Sequence, residues 1–186
     1  MTSAPPLEFM SDLEGIEVTF HSSPNTSFTF PTQTWVIAEK LSESPSQMTQ
    51  RNIDDDLGPS FTAAKFLCHR ADNPAKMGFM RIYLQVPIIG TEFRPSKARA
   101  KQGAPPKPHA ELSALKSLKA MNCEVVPDLL CYQEQVQGQD GIVPGGYITY
   151  IVWDKVPGES LSPQTFWNLD LASRQEIRSQ FRIVYQ

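Results

Sequence analysis

At 186 residues, with 17 Lys and Arg against 20 Asp and Glu and a net charge of -3, the chain fits one domain large enough to bury a core without disulfides. Its basic residues are spread along the sequence, which excludes the concentrated positive stripe of a nucleic-acid surface, and 16 prolines, roughly 9% against a usual ~5%, foretell many irregular connections. Cys68, Cys123 and Cys131 include no C-x-x-C pair, and no stretch reaches the ~20 apolar residues of a membrane span, so reduced thiols, no membrane partner and a cytoplasmic address are expected.

Residues 1–14 are polar and contain prolines, which predicts a flexible start. Ile16, Val18 and Phe20 then alternate with Glu17 and Thr19, the period-two pattern of a half-buried strand, and 22–27, with Pro24 and Asn25, reads as a turn. A second strand is predicted over 34–41 (TWVIAEKL), followed by a loop over 42–58 that carries a solvated acidic run, Asp54, Asp55 and Asp56. Residues 61–69 can extend as a strand, and 77–86 (MGFMRIYLQV) is the clearest one: Met80, Ile82, Leu84 and Val86 share one face, and Arg81, Tyr83 and Gln85 share a second face polar enough to line a cleft. The stretch 88–108, basic and rich in proline, reads as a mobile loop.

Residues 109–122 (HAELSALKSLKAMN) predict a helix, with Pro108 suited to its first turn. Glu111 precedes Ala114, Leu115 and Leu118 by three, four and seven positions and so shares the face that packs on the sheet. A carboxylate there needs a cation or donors, because an unpaired buried charge is costly, and Arg81 on the polar face of the preceding strand is the candidate partner. A short strand over 125–132 and a polar loop over 133–140 follow. Pro144, Gly145 and Gly146 turn the chain into 147–156 (YITYIVWDKV), a strand rich in aromatic and β-branched residues that Pro157 and Gly158 end. Ser162 and Pro163 start a short helix containing Phe166 and Trp167, and Ser173 with Glu176 has capping-box spacing before Ile177, Phe181 and Val184, so 162–186 reads as C-terminal helices. The whole is a single α+β domain over 1–186, an antiparallel sheet of about five strands with one packed helix and the C-terminal helices beside it.

This order of strands, helix, two strands, Pro-Gly and helix resembles the amino-terminal lobe and hinge of aminoglycoside-phosphotransferase-like and protein-kinase-like proteins. The strings MRIYLQVP at 80–87, HAELSALKSL at 109–118, VPDLLCY at 126–132, VPGGYITYIVWDKVPG at 143–158 and RQEIRSQFR at 174–182 look like a fungal kinase-like family. The resemblance implies that Arg81 stands where such folds carry a nucleotide-handling lysine, that Glu111 is its ion-pair partner, and that 151–155 is the hinge that meets an adenine. It also implies what is missing. Phosphoryl transfer in these folds uses H-x-D-x-x-x-x-N and a later Asp motif, none of His21, His69 and His109 begins such a motif, and the sequence stops at Gln186, before the catalytic half. In place of a Gly-rich phosphate loop, Gly58 stands alone before Pro59, which has no N–H to donate. The expectation is a kinase-like fold without phosphoryl transfer, cofactor or metal, in which Arg81 can bind an anion without copying the geometry of lysine.

Two functions fit this reading. In one, the cleft holds a hydrophobic small molecule, and the protein is a cyclase or isomerase of pericyclase type in fungal secondary metabolism. It would act by holding a reactive conformer and placing hydrogen-bond donors. Arg81, Tyr83, Gln85 and Glu111 are then the catalytic candidates, and Tyr147, Tyr150, Trp153, Phe166 and Trp167 the substrate-binding ones. In the other, the chain is a pseudokinase fragment that binds or regulates without chemistry. Each aromatic residue has core packing as its plain alternative, and Arg81 with Glu111 has a purely structural ion pair. A small lobe taken alone exposes apolar area that the terminal helix, a second copy in a homodimer, or a hydrophobic ligand can cover.

Overall fold

Alternation along Met77–Gln85 sends Met80, Ile82 and Leu84 to one face of a strand and Phe79, Arg81 and Tyr83 to the other, and the fold is organised about this strand. In the computed structural model, which describes residues 7–22, 28–158 and 161–184, it is β4 of an antiparallel sheet. The strands are β1 Glu17–Phe20, β2 Gln33–Ser46, β3 Phe61–Arg70, β4 Met77–Gln85, β5 Leu129–Val136 and β6 Tyr147–Asp154. They lie in the order β1-β2-β3-β4-β6-β5, so the α+β class holds, with six strands among the described residues in place of about five. The helices are α1 Gln50–Asp54, α2 Ser96–Ala100, α3 Ala110–Ala120, α4 Pro163–Asn168 and α5 Leu171–Val184.

The sheet curls until its edge strands β1 and β5 meet, and the Gln33 amide, at the start of β2, donates across the seam to the Leu130 carbonyl at 3.1 Å. Bulges in β2 between Ile37 and Glu39 and between Lys40 and Ser42 supply the bend. Inside the curl lies the larger core, with Trp35, Ile37, Phe66, Met80, Ile82 and Val152 buried together. The outer face of β4, β5 and β6 carries a smaller apolar cluster, Leu129, Ile151 and Trp153, which α3 covers with Leu112 and Leu115.

Several boundaries differ from the sequence-based expectation, each for a physical reason. β2 runs on through Pro45 to Ser46, because beyond Ile37 it pairs with β3 alone, and a proline is tolerated where no partner needs its N–H. The expected loop after it contains α1, which has a capping box from Thr49 and Asn52 and ends in the exposed acidic run. Residues 7–14 of the start expected to be flexible form a strap: Met10 is buried in the core, and the N–H groups of Phe9 and Met10 donate to the Glu43 carboxylate at 2.9 and 3.3 Å. The 88–108 stretch, read as a mobile loop, contains α2 and is pinned through Gln102, whose side chain accepts from the Ile88 N–H at 3.0 Å and donates to the Thr91 hydroxyl at 2.9 Å.

β5 begins and ends later than expected, since the register with β6 carries pairing from Leu129 to Val136 and polar side chains suit an edge strand. α3 starts at Ala110 with His109 as its N-cap residue, which places Pro108 before the helix. α5 starts at Leu171: Asp170 accepts from the Ser173 N–H at 2.9 Å and its hydroxyl at 2.7 Å, so Ser173 lies inside the helix and Glu176 caps nothing. Most of the turn predicted over 22–27, the first six residues of the start, and the last two residues of the 162–186 helices lie outside the described residues.

Candidate functional site

Lys65, Arg81 and Ile151 are Cα partners across β3, β4 and β6, and so stand side by side on the face that α3 covers. The next rung of the ladder aligns Ala63, Tyr83 and Thr149. The first turn of α3 lays Glu111 over these rungs, where Arg81 Nε donates to Glu111 Oε2 at 3.2 Å and Tyr83 Oη donates to the same oxygen at 2.8 Å. A carboxylate in a first helical turn is also favoured by the helix dipole. The pair is not sealed: the Arg81 side chain is 24% and the Glu111 side chain 29% exposed. Only Nε of the guanidinium is engaged, so its two terminal nitrogens have no hydrogen-bond partner among the described residues.

Lys65 adds a second cation. Its Nζ lies 3.9 Å from the Phe79 ring centroid and 5.9 Å from that of Trp153. Lys65 and Arg81 are neighbours across the strands, and with Glu111 these three side chains carry one net positive charge, a balance that favours anions. Burial and the hydrogen bond to Glu111 push the Tyr83 hydroxyl well above its ordinary pKa, so it stays a neutral donor.

His109, which the sequence left as an ordinary polar residue, is part of this group. Its ring stacks on Tyr83 at 3.6 Å and 11°, with Phe61 at 5.5 Å and Tyr147 at 5.8 Å. Only 8% of the residue is exposed, and burial together with the nearby Lys107 charge holds the imidazole below its ordinary pKa. His109 Nε2 and Tyr147 Oη are buried without hydrogen-bond partners among the described residues. The one local signal was its place as the first residue of the predicted helix; its partners come from strands distant in sequence.

The remaining candidates are dispersed. Gln85 is buried and its amide is engaged on both sides, donating to the Gln102 carbonyl at 2.7 Å and accepting from the Ala104 N–H at 2.9 Å, which makes it a tie for the 88–108 segment and not a free donor. Tyr147 is fully buried beside His109, and burial pushes its hydroxyl up to about 12. Tyr150 lies on the opposite face of β6, edge-on to Phe20 in the larger core, because an odd spacing along a strand reverses the face. Trp153 shares the Arg81 face through its contact with Phe79. Phe166 and Trp167 sit on α4 against each other and the α5 arginines Arg178 and Arg174, and are not brought to Arg81.

Among the described residues no group of three or more His, Cys, Asp or Glu side chains is placed to hold a metal ion, and no helix is long and apolar enough to cross a membrane. Comparison with protein-family models, with curated proteins and with solved structures finds no match.

Proposed function

We propose that this chain is a kinase-like binding module, of the fungal type its sequence resembles, that holds a nucleoside diphosphate or triphosphate against the Arg81 face and supplies no phosphoryl-transfer group of its own. One observation carries this reading: a guanidinium is oriented at Nε by Glu111 with its other two nitrogens unengaged, next to a lysine that leans on two aromatic rings. A planar fork aimed by one carboxylate suits a phosphate, which can take two N–H bonds at once. Lys65 adds charge, and Phe79 offers a ring base an apolar contact. The cyclase reading is not favoured, since Gln85 is bound to backbone, Tyr150 lies on the other face, and Phe166 and Trp167 belong to α4. A cytosolic address suits the free thiols of Cys68, Cys123 and Cys131.

The test is titration with ADP, ATP and pyrophosphate, followed by tryptophan fluorescence and by melting temperature. Arg81→Ala should weaken binding about ten-fold or more, the scale of a lost charge-assisted hydrogen bond, and Lys65→Ala less. Affinity unchanged in Arg81→Ala, or no binding of any of the three at millimolar concentration, would sink the assignment. ATP turnover that Arg81→Ala abolishes would sink its non-transfer half.

A further inference from the structure

The strand that presents Arg81 and Tyr83 on one face presents Ile82 and Leu84 on the other, and there a second, chemically opposite site opens. A cavity of about 390 Å³ lies between β4, β6, the end of β5 and the N-terminal strap, walled by Met10, Leu13, Ile82, Leu84, Ile142 and Ile148. Its volume is near the lower end of the roughly 300–1,000 Å³ typical of small-molecule pockets. Gln135, Gln137, Gly138, Asp140 and Gly141 share the lining, so an occupant meets both hydrocarbon and polar groups. Tyr150 also lines it, and its hydroxyl has no hydrogen-bond partner among the described residues. Burial keeps that hydroxyl protonated. Among the described residues Asp140 is the one charged residue in the lining, so the site repels the anions that the Arg81 face attracts.

The walls are built into the fold. Gln137, which opens the turn on one side, is fixed at both ends of its amide: it donates to the Gln85 carbonyl at 2.8 Å and to the Tyr147 carbonyl at 3.2 Å, and accepts from the Val143 N–H at 3.0 Å. Gly141 must be a glycine for the turn to close on it, since a Cβ there would lie 2.8 Å from the Gln137 Cβ. On the other side the strap carrying Phe9, Met10 and Leu13 is clamped by Glu43. A cavity framed by a fixed turn and a clamped strap is preformed, so a ligand need not order it.

We infer that this cavity is a binding site for an uncharged, mostly apolar small molecule bearing one oxygen that accepts a hydrogen bond from Tyr150. It is separate from the Arg81 site and shares with it only the sheet between them. Nile red, an uncharged ring dye with a carbonyl oxygen, is a direct probe. The wild-type chain should raise its fluorescence saturably at one site. Ile148→Trp and Ile142→Trp, which fill the cavity from two walls, should each abolish the signal while keeping the wild-type melting transition. Tyr150→Phe should weaken binding about five-fold, the scale of one neutral hydrogen bond. If one filling variant fails to fold, the other and Tyr150→Phe decide the matter. Absence of saturable binding, equal binding by the filling variants, or loss of the signal in Leu171→Ser on exposed α5 would overturn the site. ADP binding serves as a separate readout, unchanged in the filling variants, so this site and the Arg81 proposal fail independently.

Discussion

Glu43 offers the sharpest test of how the fold is held. Its side chain, only 2% exposed, is bonded on every side: Lys40 Nζ at 2.6 Å, the Thr62 hydroxyl at 2.9 Å, and the N–H groups of Phe9 and Met10. Burial alone would raise its pKa, but Lys40, the Phe9 N–H and Thr62 together outweigh it and hold the carboxyl below its ordinary value. Glu43→Ala removes the acceptor for two backbone donors and one hydroxyl and unpairs Lys40 from its buried partner. Breaking a buried pair costs about 3–5 kcal/mol. Because Lys40 keeps the exposed Glu8 at 2.8 Å, the lower end applies, about 3 kcal/mol, or roughly 6–12 °C of melting temperature for a chain this long. Glu43→Gln, which keeps one acceptor, should fall between. The pH dependence has a definite sign: the stabilisation is full above the ordinary carboxyl value of 4.5 and is lost as pH falls through the lowered folded value. Urea unfolding of the three proteins from pH 3.5 to 7 measures both. If Glu43→Ala melts within a degree of wild type and its acid limb is unchanged, the clamp contributes nothing and the reasoning fails.

Three further outcomes follow from particular contacts. Because burial disfavours protonated His109, the unfolded chain binds a proton that the folded chain refuses, so stability should decline as pH drops below about 6.5; His109→Phe, which keeps the stack on Tyr83, should flatten that decline in melts between pH 5 and 7.5. Gly78→Ala would place a Cβ 3.0 Å from the Trp35 ring and 3.1 Å from the Trp153 carbonyl, and should destabilise by about 1–3 kcal/mol in urea unfolding. Gln85→Leu removes both ties to the backbone at Gln102 and Ala104; it should cost about 2 kcal/mol and speed amide exchange over 100–105 while leaving exchange in β3 unchanged.

How much was legible can be judged residue by residue. The faces of β4 and the pairing of Arg81 with Glu111 followed from spacing that belongs to the chain itself, but the helix face was read only in part, since α3 buries Leu112 and leaves Ala114 exposed. The same alternation, applied to β6, separates Tyr147 from Tyr150, a consequence the grouping of aromatic candidates overlooked. The capping-box spacing at Ser173 was a true local signal that a better-placed Asp170 displaced. His109 carried no usable signal, because a ring that stacks on a strand residue is identified by what lies beneath it and not by its neighbours in sequence.

The sequence by itself thus determined the α+β class, most of the strands, the packed helix and the cation–carboxylate pair, since each rests on spacing within a single element or on the matching of two such spacings. Only the tertiary structure decided that Pro45 lies in a strand, that Glu43 clamps the amino-terminal strap, that Gln85 ties down the 88–108 segment, and that one face of β4 carries the Arg81–Glu111 pair while the other lines a largely apolar cavity. Those features depend on which distant groups share a face once the sheet has curled, and a local pattern does not encode that distance.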